Sequence, residues 1–296
     1  MLKTLWIGVV YRLKGLWGTI NKVFYFQPNI LDTKASLEKI IDEKCSVARF
    51  GDGEFNLIRG GDLGFQQADG RLASRLKDVL NSDINRLEIG LPDVFGDLSD
   101  YEIKAARFWK SYMGMYRGEM VRLIDKNKIY LNTNMTRFWS GYKNKGQVKK
   151  IIGLYKKIWK DRNVVFVEGE LTRMGVGNDL FDGVSSVQRI LCPAKNAWNK
   201  YSEILATILE LNLNENTLFI LALGPTATVL AYDLTKAGYQ ALDLGHLDVQ
   251  YEYSLRNANG KIALEGKYVN ENTAGREVSD SIIDADYQNS VIARIS

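Results

Sequence analysis

Three features of this chain predict an α/β fold built on a mostly parallel sheet with helices on both faces. Strand-like apolar runs alternate with helical patterns from about Asn29 onward. Only four prolines punctuate the 296 residues, and no low-complexity linker or internal repeat divides them. A hydrophobic content of 46% is enough to bury a large core. The economical division is therefore an appendage, residues 1–26, followed by one continuous domain, residues 27–296.

The elements follow in order. Candidate strands are residues 46–50, 87–91, 128–132, 164–168, 187–192, 218–223 and 240–244, each a short apolar run. Candidate helices are residues 36–43, 71–81, 101–125, 145–160, 197–211 and 226–237, where apolar residues recur at three- and four-residue spacing. Ahead of them, Leu2, Leu5, Trp6, Val9, Leu13, Leu16, Trp17, Ile20 and Phe24 share one helical face, with Lys3, Lys14 and Lys22 opposite. A basic amphipathic helix carrying tryptophans suits the surface of an anionic bilayer, as a peripheral contact. The same pattern also suits a helix docked on its own domain, and Gly8, Gly15 and Gly18 weaken a free helix. No small-residue cleavage site follows a clean apolar core, so a cytoplasmic protein is expected, with attachment to the inner face of the membrane left open.

Composition removes several classes. No uncharged run approaches the ~20 residues of a membrane-spanning helix. Cys45 and Cys192 are the only cysteines and lie in apolar runs, which excludes disulfide scaffolds and zinc clusters. His246 is the sole histidine, so any metal should be a hard, carboxylate-held cation such as Mn²⁺ or Mg²⁺. The net charge of +4 comes from Lys3, Arg12, Lys14 and Lys22, since residues 1–26 contain no acid and the rest balances 35 basic against 35 acidic residues. A neutral body without a basic stripe argues against nucleic acid as a partner.

Ligands of open α/β sheets bind beyond the carboxyl ends of the strands, and four such ends carry unusual residues. After residues 45–48 comes Arg49-Phe50-Gly51-Asp52-Gly53-Glu54. In an extended segment Asp52 and Glu54 leave the backbone on the same side and can share one cation, as at a metal-bound diphosphate. Gly51 and Gly53 let a ligand approach the main chain. A polar turn whose acids face water fits these six residues as well. After residues 164–168, the stretch from Gly169 to Asp179 contains Arg173, Gly175, Gly177 and Asn178. Its glycine density suits a nucleotide loop, but Leu180 stands where a dinucleotide fingerprint needs a third glycine or alanine, which argues against a nicotinamide enzyme. Residues 218–223 run into Gly224-Pro225-Thr226, a helix start whose free amides suit a phosphate or need only the Thr226 cap. The last strand ends near His246, Asp248 and Glu252, and the two acids, four apart, would share a helical face. A histidine among carboxylates there is placed for proton transfer.

Together the segments 47–55, 168–181, 223–228 and 244–248 resemble the bacterial glycosyltransferases of the GT-D fold, a family first catalogued as a domain of unknown function. The resemblance covers roughly residues 31–253, and neither the basic arm nor the tail after Leu255 enters it. It implies a Rossmann-like α/β domain in which an Asp-X-Glu motif, matching Asp52 and Glu54, binds Mn²⁺ and the diphosphate of a UDP-sugar. It also implies a role in bacterial surface polysaccharide assembly or adhesin glycosylation. The expected reaction is transfer of a hexose from UDP to a hydroxyl of a glycan or glycoprotein acceptor. Arg49 or Arg173 would add a cation to the diphosphate, while Phe50, Gly51, Gly175, Gly177, Asn178, Gly224, Pro225 and Thr226 would surround the nucleotide. Glu252, then Asp248 and His246, are the candidate bases. Trp109, Tyr112, Tyr116, Phe138 and Trp139 would either stack on acceptor sugars or pack in the core. An S-adenosylmethionine-dependent methyltransferase and a non-catalytic subunit of an envelope glycan assembly are the alternatives.

Overall fold

The computed structural model of the chain describes residues 2–279, 283 and 285–296, with the side chains of residues 2–9 and 11 outside the described part. Helix α1 (Leu2–Ile20) leads through a 3₁₀ turn (Asn21–Phe24) to strand β1 (Asn29–Ile30), helix α2 (Thr33–Glu43) and strand β2 (Ser46–Arg49). Helices α3 (Asp52–Ile58) and α4 (Gly70–Leu80) precede β3 (Leu87–Leu91), and α5 (Ile103–Leu123) precedes β4 (Ile129–Asn132). Helix α6 (Val148–Trp159), β5 (Asn163–Gly169), β6 (Ser186–Cys192), α7 (Tyr201–Glu210), β7 (Leu218–Ala222), α8 (Pro225–Lys236) and β8 (Gln240–Asp243) follow. The chain closes with α9 (Leu247–Leu255), α10 (Ala285–Ser290) and β9 (Val291–Arg294).

Among the described residues the strands form one nine-stranded sheet in the order β1-β4-β3-β2-β8-β7-β5-β6-β9, and every pairing is parallel. Side chains alternate across it, so neighbours on one strand enter opposite core layers. Ala48 joins Phe55, Leu76, Met113 and Leu230 on the face covered by α3, α4, α5, α7 and α8. Its neighbour Val47 joins Leu37, Tyr155, Trp159 and Leu247 on the face covered by α2, α6 and α9. Helix starts are set by local acids: Asp32 Oδ1 accepts from Ala35 N (2.8 Å), and Asp69 Oδ1 from Arg71 N (2.8 Å) and Leu72 N (2.9 Å). All seven strands expected from sequence are present. The two that sequence reading missed, β1 and β9, are the sheet edges.

The N-terminal helix docks on α5 through Gly15 and Gly18, not through the described part of its apolar stripe. Gly15 and Gly18 face Lys110 and Gly114, so close that a β-carbon on Gly18 would collide with the Lys110 carbonyl and one on Gly114 with the Lys14 carbonyl. Buried Arg117 then ties the layers, donating from Nε to Asn21 Oδ1 (2.8 Å), from Nη1 to Phe95 O (2.6 Å) and from Nη2 to Gly18 O (3.2 Å). Of the expected stripe, Leu13, Leu16, Trp17, Ile20 and Phe24 are exposed. The side chains of Leu2, Lys3, Leu5, Trp6 and Val9 lie outside the described residues.

Candidate active site

The strand order changes direction between β2 and β8, and there the carboxyl ends open into a cleft of about 1270 Å³. Gly51 and Asp52 enter it after β2, Gly224 after β7, and Gly245 and His246 after β8. Arg137, five residues past β4, joins Lys261, Asn270 and Glu271, beyond α9, along one wall.

Arg49 lies in the cleft floor and is already paired. Its Nη2 donates to Asp243 Oδ1 (2.7 Å), its Nε to Asp243 O (2.5 Å) and its Nη1 to Thr136 Oγ1 (2.8 Å). Thr228 Oγ1 donates to Arg49 O (3.0 Å) and lies 3.3 Å from Asp243 Oδ2. Gly245, at φ 44°, passes over the guanidinium where a β-carbon would strike Nη2. That close approach requires glycine.

Asp52 and Glu54 do not share a direction. The segment is helical: α3 begins at Asp52, and residues two apart on a helix point roughly 200° apart. Glu54 turns back so that its Oε2 accepts from Gly51 N (2.7 Å), half of a capping box. Burial, with Asp243 close by, pushes its carboxyl up to about 7. Asp52 instead opens into the cleft, where enclosure by the walls raises its carboxyl, partly offset by Arg137. Among the described residues no group of three or more His, Cys, Asp or Glu is placed to hold a metal ion. A Mg²⁺ or Mn²⁺ carried on substrate phosphates needs only one or two carboxylates. Asp52 fits that requirement as it stands, while Glu54 is engaged at Gly51 N.

Beside Asp52 lies a charged cluster that the sequence reading missed. Arg137 Nη1 donates to both Glu271 carboxylate oxygens (2.9 Å each), and Lys261 Nζ lies 2.9 Å from Glu271 Oε1. Burial opposes ionisation of Glu271, but Arg137, His246 and Lys261 outweigh it and hold the carboxyl down to about 2. Arg137 Nη2 approaches His246 Nδ1 at 3.4 Å, which makes Nδ1 the acceptor, and His246 Nε2 lies 3.1 Å from Asn270 Oδ1. Burial and the Arg137 charge lower the imidazole to about 4, so it is neutral at pH 7. Position past a strand end was the available signal for Arg137; Lys261 and Glu271 lie in a segment without a motif.

Several expected site residues lie elsewhere. Asp248 and Glu252 do share a face of α9, but it is turned into a buried cluster away from the cleft. Lys267 Nζ reaches Asp248 Oδ2 (2.6 Å) and Glu252 Oε1 (3.2 Å), and Arg256 also pairs with Glu252. Asn178 Nδ2 donates to Asp248 Oδ1 (2.8 Å) and Glu252 Oε1 (2.6 Å), so this expected nucleotide ligand braces α9 instead. Arg173 is buried, its Nη1 on Gly266 O (2.9 Å) and Ser279 O (2.5 Å), while Gly175 packs under Phe181 and Gly177 is exposed outside the cleft. The loop keeps this course because Glu168 Oε2 accepts from Met174 N (2.7 Å) and Arg189 Nη1 pairs with Glu168 Oε1 (2.5 Å). Phe50, Pro225 and Thr226 are buried behind the cleft surface. Trp109 and Trp139 line the cleft, whereas Tyr112, Tyr116 and Phe138 do not.

An all-parallel sheet with a cleft at its topological switch, where Asp52, Arg137 and Lys261 meet, defines a Rossmann-like α/β protein. The sequence model of the family described as "Glycosyltransferase GT-D fold" matches residues 47–272, and the chain belongs to that family. It is 35% identical over 271 residues to a probable glycosyl transferase of Streptococcus gordonii, a match covering 91% of this chain and 39% of that protein. It is 34% identical over 261 residues to a glycosyltransferase of Streptococcus pneumoniae serotype 4, covering 88% and 32%. The chain thus spans well under half the length of either relative. A solved glycosyltransferase from Streptococcus sanguinis superposes with a TM-score of 0.84 at 34% identity, covering 91% of this chain and 100% of that one. A further solved structure, titled as a conserved domain with a distinct glycosyltransferase fold, gives 0.85 at 33% identity, covering 97% and 100%. That match extends beyond the span of the sequence motifs.

Proposed function

We propose that the chain is a metal-dependent glycosyltransferase that moves a hexose from a UDP-sugar to a hydroxyl of a glycan or glycoprotein acceptor in bacterial surface glycosylation. In this reading the acceptor oxygen bonds to the anomeric carbon, the bond from that carbon to the diphosphate breaks, UDP leaves with the electron pair, and the hydroxyl proton passes to a base. The observation that carries it is the meeting of Asp52 with Arg137 and Lys261 in one cleft at the strand ends, in a chain of this family. Asp52, backed by Glu54, is the carboxylate for Mn²⁺ or Mg²⁺, which when bound neutralises charge on the departing diphosphate. Arg137 and Lys261 take the diphosphate role expected of Arg173, and Gly51, Gly224 and Gly245 let the donor reach the main chain. Of the three candidate bases His246 alone lines the cleft, so the base assignment moves to it from Asp248 and Glu252.

The reading includes a cytoplasmic enzyme with residues 1–26 as an appendage to the catalytic body, residues 27–296. Among the described residues no helix is long and apolar enough to cross a membrane. The loop after β5, where a methyltransferase of this fold class would hold its nucleoside, braces α9 instead. Titration calorimetry with UDP tests the proposal. Affinity should fall at least tenfold when Mn²⁺ is replaced by EDTA, and equally in Asp52→Asn with Mn²⁺ present. Equal UDP affinity in all three conditions, or the absence of UDP-hexose turnover in wild type, overturns it.

A further inference from the structure

Helix α1 turns Gly15 and Gly18 toward α5 and, among its described side chains, leaves Leu13, Leu16, Trp17 and Ile20 outside. Val23 is 73% exposed, Phe24 68% and Leu13 60%, and Leu16, Trp17 and Ile20 are exposed beside them. Trp17 and Phe24 stack with ring centroids 6.2 Å apart. The α5 layer adds exposed Ile103, Phe108 and Met115. Single exposed apolar residues are ordinary on a protein surface, but six on α1 and the turn that follows it are not.

The charges on this face are predominantly basic. Arg12, Lys14 and Lys22 lie on the arm, and Lys104, Arg107 and Lys110 on α5, with no acid in residues 1–26 or between Glu102 and Glu119. The nearby carboxylate Asp97 is engaged by Ser99 and lies close to Lys22. Elsewhere the chain balances its charges, so the excess is confined to the arm that also exposes the apolar residues. A symmetric pairing of two copies through this face would set like charges against each other. Anionic headgroups answer both features at once: apolar side chains enter the acyl boundary while lysines and arginines stay at phosphate level.

We infer that the exposed face of α1, its following turn and the start of α5 is a docking surface for an anionic lipid bilayer. Ile103, at the start of α5, also lines the cleft, so docking through this surface sets the cleft beside the bilayer. On the glycosyltransferase reading, the acceptor then belongs to the class of glycans carried on a lipid anchor.

Sedimentation of the full chain with phosphatidylcholine vesicles, with and without phosphatidylglycerol, tests the surface. Wild type should partition onto the phosphatidylglycerol vesicles at least tenfold better than onto pure phosphatidylcholine, and less as salt rises. Arg12→Gln with Lys22→Gln should weaken partitioning by roughly fivefold for each cation removed. Trp17→Glu with Phe24→Glu should abolish it, while circular dichroism and UDP affinity stay at wild-type values. The inference is overturned by equal partitioning of wild type and the Trp17/Phe24 variant, or by no preference for phosphatidylglycerol. It is overturned too if ultracentrifugation finds a dimer that the Trp17/Phe24 variant dissociates. Vesicle binding is read without turnover, so loss of the catalytic reading leaves this result standing.

Discussion

Two ionic clusters flank the start of α9 and differ in access. One gathers Arg137, Glu271, Lys261 and His246 on the cleft wall; the other gathers Lys267, Asp248, Glu252 and Asn178 out of solvent. Both take charges from α9 or its cap and from the single segment 257–275. The difference is burial. In the closed cluster every charge faces a partner, so the groups hold the fold; in the open one, Asp52, Arg137 and Lys261 border space a ligand can fill.

The largest test of that contrast is Lys267→Met. It strands Asp248 and Glu252 in a buried site and should cost about 3–5 kcal/mol of stability, measured by urea unfolding. UDP affinity below the new melting transition should stay within twofold of wild type, and Glu252→Gln should lower stability while leaving kcat near normal. A sharp loss of kcat in Glu252→Gln at unchanged stability would return catalysis to α9.

A second test uses pH on the open cluster. His246 has a folded-state value of about 4 against ~6.5 unfolded, so below ~6.5 the unfolded chain takes up the proton first. Stability present above that pH is therefore lost as pH falls toward 4, by about 2–3 kcal/mol. Glu271, held at about 2, continues the loss between ~4.5 and 2. Chemical denaturation at stepped pH should show the upper part of this slope flattened in His246→Gln. An unchanged slope in that variant would mean the imidazole is not held neutral.

The smallest expected effect sharpens the donor side. Arg137→Gln removes one charge-assisted contact, about 1.5–3 kcal/mol if both phosphates use it, and should weaken UDP by tenfold or more. Arg137→Lys should recover part of that loss. Equal UDP affinity in wild type and Arg137→Gln would leave the diphosphate to Lys261, the glycine turns and a cation held at Asp52.

Sequence revealed what is local and concealed what is long-range. The seven interior strands are legible because each is a contiguous apolar run; β1 has two residues and β9 four half-exposed ones, too little for a pattern. Asp52, Arg49, Gly224 and His246 were placed by the strand-end rule. Glu54 was misread because Gly-Asp-Gly-Glu serves an extended loop or a helix start equally well, although Glu54 at the third helical position before an apolar run is itself a capping signal. Asp248 and Glu252 share a face, as their spacing requires, but their partner Lys267 lies in a loop that no periodicity aims. The arm's stripe is real in its exposed half, and its docking face was set by glycines, whose lack of side chains hides them from hydrophobic patterning.

Segment 257–275 divides its duties along its length. Its tip, Asn257 to Lys261, borders the cleft and is tied through main-chain oxygens, Ala258 O accepting from Trp139 Nε1 (2.9 Å) and Lys261 O from Asn272 Nδ2 (2.8 Å), while Lys267 and Gly266 secure its base to α9 and Arg173. Substitution at residues 257–259 should therefore change what the cleft admits while leaving the Lys267 anchor and Lys261 in place, and a library randomised at those three positions is the place to redirect it.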